Sequence, residues 1–479
     1  MGEFQRVFFE VSGAGRCALL AGAVSVTLSG CGTVGAVKRS IFGGEPEGPK
    51  ILTGFIGGAV ADEPRAALAA RQVLATGGNA ADAAVALGFM LAVTLPSRAS
   101  LGGGGACLAY QPGASSPNGG VPEAVMFMPA APASASGDRP AAVPMLVRGL
   151  YLLSARYGTR DFAALVAPAE QAARFGIPIS HALALDLAPV AGPLTSDPVT
   201  QPVFAPNGTA LVEGGTLLQA DLANTLAQIR TVGAGDMYQG LLAHKLVEAT
   251  SAAGGPVSVD DLRLSRASLV PPITLDAGSD HVGFLPLPAD GGLAAAAAFQ
   301  VLRHDPSAVQ AAGEASEEAA ARFRAQGGSA TALLAASGPA PALNLLPAST
   351  NFVVMDGKGS AVACALTDNN LFGTGRIAPG TGILLAASPS AKPAPLLAAS
   401  LAWSENRRAF RAAVGGSGQN AAGLAAAFAM AAALGGGTAP VPEPGRANAI
   451  SCPGYVPGDS STCRFTADPR VAGLAAAGN

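Results

Sequence analysis

The chain has 479 residues, 49% hydrophobic and 13% charged, with a net charge of −3, enough apolar material for a large core and too much chain for one small domain. With 5% aromatic residues and no basic run, neither phosphate tracking nor base stacking is favoured, so nucleic acid is not an expected partner. His181, His244, His281 and His304 lack ligand spacing and the cysteines lack a C-x-x-C pair, so neither a metal nor a cofactor is expected.

In chain order, the first element is an apolar run, CALLAGAVSVTLSGC, which follows Arg16 and closes on Cys31. It resembles a bacterial lipoprotein signal with the lipobox LSGC at Leu28–Cys31, whose cysteine would be lipidated. The other reading of the same run is a buried helix with a free cysteine. On the lipoprotein reading, residues 1–31 are the signal, and the body is periplasmic and held to a bacterial membrane by lipid alone. That compartment is oxidising, which makes Cys452 and Cys463 in the Gly-, Pro- and Ser-rich tail candidates for a disulfide. Cys107 and Cys364 lie inside apolar strand patterns and read as core residues. A G-x-G-x-x-G at Gly30–Gly35 overlaps the lipobox and follows no strand, so it carries no nucleotide signal.

From Gly54 to Tyr110 the pattern predicts strand, helix, helix, glycine turn and strand, with Gly77 and Gly78 stopping the first helix and Asn79 capping the second. Gly102–Gly105 permit close backbone approach ahead of the strand ACLAY. Helical patterns fill Val143 to about Arg303, with stops at RYGTR, RFGIP and TVGAGD. The Ala-, Gly- and Pro-rich stretch 306–347 reads as a surface connection. The apolar run Ala421–Leu434 is shorter than the roughly 20 residues of a membrane span and reads as a buried core helix. The tail beyond it reads as irregular.

Between these lies a hairpin pattern. Ser349–Met355 and Ala361–Thr367 alternate with strand period around the turn sequence DGKGS, which predicts two paired strands. A hairpin centred on Lys358 sets Ser349 opposite Thr367, with Asn369 two residues further along the same face. Two hydroxyls and a carboxamide then meet at one strand end, directly after a proline-containing loop. By periodicity alone, an ordinary polar hairpin end has the same pattern.

Several blocks in the same order give the chain a wider resemblance. GGNAADAAVALGFMLAVTLPSRASLGGGG, AVPMLVRGLYLLSARYGTRDFAALVAPAEQAARFGIPIS, GGPVSVDDLRLSRASLVPPI, PLPADGGLAAAAAFQVL, STNFVVMD and the closing TADPRVAGLAAAGN resemble successive blocks of the γ-glutamyltransferase (γ-glutamyltranspeptidase) family of N-terminal nucleophile hydrolases. The resemblance implies an α+β fold, a four-layer αββα sandwich made of two subunits from one self-cleaved precursor. It divides the chain into a large-subunit-like region, 32–348, and a small-subunit-like catalytic region, 349–479. The mature protein would be a heterodimer of those two fragments.

What the resemblance implies for the site is specific. Cleavage between Ala348 and Ser349 would expose Ser349 as the nucleophile, where the family has threonine, with Thr367 and Asn369 supporting it. A serine hydroxyl can attack the preceding carbonyl, and the amine released then serves as its general base. Serine lacks the methyl that restricts the threonine rotamer. Thr350 is the adjacent alternative nucleophile, but it breaks the register with Thr367. Gly418 and Gln419 correspond to the glycine pair of the family's oxyanion hole. Recognition of the substrate departs further. Met128 stands where the family has the arginine for the substrate α-carboxylate, GILLAASPSAK offers no acid for the α-amino group, and LLAASLAW replaces a pair of serines. Three functions are therefore compatible with the sequence: transfer or hydrolysis of a γ-glutamyl amide such as glutathione, the same catalysis on another acyl donor, or a catalytically silent lipoprotein keeping the fold. No Ser-x-x-Lys or G-x-S-x-G motif supports another hydrolase class.

Overall fold

The structure, a computed structural model, describes residues 51–437 and 440–478. The lipobox and Cys31 lie outside the described residues. Strand β1 (Gly57–Ala61) leads into helices α1 (Pro64–Ala75) and α2 (Ala80–Thr94), then strands β2 (Gly104–Tyr110) and β3 (Glu123–Phe127). Asn79 caps α2 in a reciprocal box with Asp82, and Gly77 adopts the left-handed φ of +87° that stops α1. Helix α2 is buried on every face, as its apolar composition requires. Further helices, including α3 (Leu146–Tyr157), α4 (Phe162–Phe175), α5 (Ala220–Val232) and α6 (Leu241–Ala252), complete this layer.

The chain continues through β4 (Ser268–Val270), β5 (Ile273–Ala277), β6 (Asp280–Phe284), α7 (Asp290–His304) and α8 (Val309–Gln326). After these come the hairpin β7 (Thr350–Asp356) and β8 (Ala361–Thr367), then β9 (Ala398–Ser404), β10 (Ala409–Ser417), α9 (Ala422–Leu434), β11 (Arg446–Val456), β12 (Arg464–Thr466) and β13 (Leu474–Gly478). Two antiparallel sheets result, with strand orders β13-β1-β7-β8-β2-β3-β4 and β12-β11-β10-β9-β6-β5.

Side-chain alternation along the strands builds three apolar layers. Phe352, Val354, Val362 and Leu366 face the α1–α6 helices. Their neighbours Val353, Met355, Ala363 and Ala365 face the second sheet, meeting Leu401, Ala413 and Ile450. The opposite face of that sheet, with Ala402, Ala412 and Val414, is covered by α7 and α9. The order of layers is helix, sheet, sheet, helix, the αββα sandwich that the resemblance implies. Among the described residues, no helix is long and apolar enough to cross a membrane, and α9 is a core helix.

Three expectations are corrected. The stretch 306–347 is not all connection, because α8 occupies Val309–Gln326 and a short helix Ala330–Leu334. Ala312 and Ala320 of α8 are buried in the core with α7, where their small side chains allow close helix approach. The tail is not irregular either. β11 extends the second sheet, and β13 pairs along the whole of β1 at the edge of the first. Finally, Cys107 and Cys364 are more than core residues. They are direct partners in the β2–β8 ladder, with Cα atoms 4.0 Å apart, and form a disulfide. Cys452 and Cys463 form a second one.

Candidate active site

β7 and β8 pair with Met355 opposite Ala361 and Thr350 opposite Leu366. Strand β7 begins at Thr350, one residue later than the sequence pattern predicts; extended by one step, its register would set Ser349 opposite Thr367, the last residue of β8. Val353 and Met355 face the second sheet, and the same alternation carried back past the strand start would turn Ser349 to that side. Ser349 is 1% exposed, and Thr367 and Asn369 are fully buried. The cleft between the sheets is tight here: a Cβ on Gly415 of β10 would lie within 2.5 Å of the Asn351 side chain.

Thr367 is held from one side. The Asn369 backbone N–H donates to Thr367 Oγ1 at 2.8 Å, and the Asn369 carboxamide donates to the Ala387 carbonyl at 3.0 Å. Because Thr367 Oγ1 accepts, its own proton remains free to be donated elsewhere. Asn369 reaches this arrangement with a φ of +57°, a conformation that asparagine tolerates better than most residues. Its Oδ1 is buried and without a partner.

Thr350 is differently engaged. Its hydroxyl donates to Asp62 Oδ2 at 2.7 Å, while the Asn448 carboxamide donates to Asp62 Oδ1 at 2.8 Å and to Asn351 Oδ1 at 3.0 Å. This network ties β11 of the second sheet to the start of β7. Burial pushes the Asp62 carboxyl up from its ordinary range, against the opposing pull of Arg98 and of hydrogen bonds from Thr350, Asn448 and the Asn351 backbone. Asp62 and Asn448 had no sequence motif to mark them. The available signal was the strand period, which aims both side chains inward at positions otherwise occupied by small apolar residues.

Asp368, between Thr367 and Asn369, turns to the other side. Ser100 donates to its Oδ1 from both Oγ, at 2.8 Å, and the backbone N–H, at 3.1 Å. Oδ2 has no partner. Burial pushes this carboxyl up to about 7, beyond what the Ser100 hydrogen bonds offset.

The turn after β10 brings Gly418 (φ +114°) and Gln419 (φ +57°) to the head of α9. A left-handed φ at glutamine is uncommon. The backbone therefore keeps a glycine-like path although the second glycine is absent. The turn lies at the positive end of the α9 dipole, where backbone N–H groups favour an oxyanion. Met128, just past β3, is half-buried and packs against the apolar layer between the sheets. A thioether there offers no counter-charge to a carboxylate.

A profile of the γ-glutamyltranspeptidase family matches residues 66–324. The chain belongs to that family. The matched region ends before Ser349, so the hairpin register is the independent argument for the site. Among relatives of this γ-glutamyltranspeptidase-family chain, the glutathione hydrolase proenzyme of Escherichia coli (strain K12) is 30% identical over 369 residues, covering 65% of this chain and 63% of the relative. That of Bacillus subtilis (strain 168) is 33% identical over 257 residues, covering 50% and 43%. Among solved structures, cephalosporin acylase from Bacillus halodurans superimposes with a TM-score of 0.72 at 21% identity, covering 90% of this chain and 97% of that one. The γ-glutamyltranspeptidase of Helicobacter pylori gives 0.52 at 28% identity, covering 60% and 88%. The acylase shares the fold across nearly the whole chain, including the small-subunit-like region.

Proposed function

We propose that this protein is a self-processing acyltransferase of the γ-glutamyltransferase type, which cuts itself between Ala348 and Ser349 and then transfers or hydrolyses the acyl group of a γ-glutamyl amide such as glutathione. The observation that carries the proposal is the β7–β8 register, which supports it because one step beyond the Thr350–Leu366 pair would set Ser349 opposite Thr367, while the Thr350 hydroxyl is committed to Asp62. The 30% identity to a glutathione hydrolase proenzyme supports the same reading.

In the mature enzyme the freed α-amine of Ser349 takes the Oγ proton as Oγ attacks the donor carbonyl. The Gly418–Gln419 N–H groups receive the developing oxyanion, and water or an acceptor amine releases the acyl group. Incubation of the purified precursor, followed by N-terminal sequencing of the smaller fragment, tests the assignment. The expected terminus is Ser349. A terminus at Thr350 overturns it, and a chain that stays intact leaves the silent fold as the remaining reading.

One observation favours a second acyl donor. Met128, packed among apolar side chains, suits an acyl group without an α-carboxylate better than it suits glutamate. Location is a separate proposal: the lipobox supports lipid attachment at Cys31, and the two disulfides are consistent with an oxidising compartment. Cys31→Ser should release the protein from the membrane fraction; unchanged fractionation and mass would return the apolar run to the buried-helix reading.

A further inference from the structure

The segment ahead of the candidate cleavage point has neither helix nor strand from Ala335 to Ser349, yet it is anchored. Leu346 is 2% exposed and inserts into the core under α7 and α9. Its backbone N–H donates to Asn420 Oδ1 at 3.0 Å. From the other end of the same carboxamide, Asn420 Nδ2 donates to the carbonyls of Asn344 at 3.3 Å and Leu343 at 3.5 Å. One side chain thus grips the backbone of three residues and ignores their side chains. Asn420 directly follows Gly418 and Gln419, so the turn that offers oxyanion N–H groups also holds the strap leading into Ser349.

We propose that Asn420 is a positioning residue for self-cleavage, fixing the 343–346 strap so that the Ala348 carbonyl meets Ser349 Oγ and the Gly418–Gln419 turn together. This rests on the self-processing reading above. In that step Ser349 Oγ bonds to the Ala348 carbonyl carbon and the Ala348–Ser349 C–N bond breaks. The Oγ proton passes to the departing amine, and water then hydrolyses the ester, leaving an Ala348 carboxylate and restoring the hydroxyl. Asn420 exchanges no proton or bond. Its contribution is to restrict the approach, since small misplacements of a reacting carbonyl lower rates strongly.

The test follows cleavage of full-length precursor by gel and mass spectrometry for wild type, Asn420→Ala and Asn420→Asp, with thermal midpoints measured in parallel on the uncleavable Ser349→Ala background. Asn420→Ala keeps none of the three hydrogen bonds and is expected to cleave about tenfold more slowly or worse, since the strap is then no longer held for attack. Asn420→Asp keeps the acceptor for the Leu346 N–H and loses the donors, so it should fall between. Cleavage in all three should remain at Ser349, with midpoints that do not follow the order of rates. Equal cleavage rates in a wild type that does cut at Ser349 overturn this inference alone. If the wild type does not cut, the underlying reading falls and this one with it. Loss of the folded transition in both variants makes Asn420 a structural residue and overturns the positioning role.

Discussion

The end of the β7–β8 hairpin and the region just past β3 lie on the same sheet and have diverged in opposite ways. At the hairpin end, Ser349, Thr367 and Asn369 are buried and polar, and hydrogen bonds fix Thr367 and Asn369. Past β3, the position that resembles a carboxylate-binding arginine carries Met128, set in apolar packing. The contrast is between two kinds of requirement. Attack on a carbonyl needs a hydroxyl, a base and oriented N–H groups, which a strand end and a turn supply whatever the substrate. Recognition of a charged amino-acid moiety needs specific counter-charges, which one substitution removes.

The strongest way to break the contrast is at the hairpin. Ser349→Ala removes the attacking oxygen and should abolish both self-cleavage and turnover, read by gel and by hydrolysis of a γ-glutamyl anilide. Thr350→Val should still cleave, at a stability cost of about 1 to 3 kcal/mol, because it deprives the buried Asp62 of a donor. Cleavage lost in Thr350→Val but kept in Ser349→Ala would reverse the assignment.

A second effect sharpens the electrostatics of the same strand end. Asp368, raised to about 7 by burial, stays protonated in the folded chain over a range where the unfolded chain has ionised, above about 4. The folded state then binds more protons, so this group makes stability fall as pH rises from about 4 to 7. Complete burial sets an upper scale of about 4 kcal/mol, at 1.36 kcal/mol per unit. Asp368→Asn keeps an acceptor for Ser100 and should flatten that part of the pH dependence in denaturant titrations. An unaltered slope would show that the carboxyl is ionised in the folded protein.

The next effect tests the join between the two regions. The Cys107–Cys364 bridge links strands on either side of Ser349. Fragments produced by cleavage should therefore run as one species on a non-reducing gel and separate on reduction. Replacing both cysteines by alanine should lower unfolding free energy by about 2 to 4 kcal/mol. Fragments that separate without reductant would refute the link.

The smallest effect addresses the recognition side. Met128→Arg should improve use of a γ-glutamyl anilide by about 1.5 to 3 kcal/mol, one or two orders of magnitude, if a charge-assisted hydrogen bond to the α-carboxylate is what the site lacks. No gain, with folding intact, would favour a donor without that carboxylate.

Much of this was legible in the sequence. The DGKGS turn and the two-residue alternation dictate the hairpin register, because strand period and turn length are local properties. The pairs from Met355–Ala361 to Thr350–Leu366 follow from that register. The cap at Asn79, the stop at Gly77 and the burial of 421–434 are equally local. The reading of 306–347 failed because composition rich in Ala, Gly and Pro suggests a connection when α7 is not in view. Once α7 is beside it, the alanines of α8 become a packing surface.

What only the tertiary structure decided is whatever depends on which strands are neighbours. Cys107 and Cys364 are 257 residues apart, and nothing local specifies that β8 lies against β2. Asp62 meets Thr350 because β1 pairs with β7, and Asn448 reaches Asp62 and Asn351 because the second sheet packs face to face on the first. Asn420 finds the strap before Ser349 only once α9 is docked. The sequence by itself determined the two strands and the turn between them, through periodicity and backbone preference, with the first strand starting at Thr350 and not at Ser349. Sheet order and layer packing, fixed by burial of apolar surface across long separations, decided which polar groups surround that strand start.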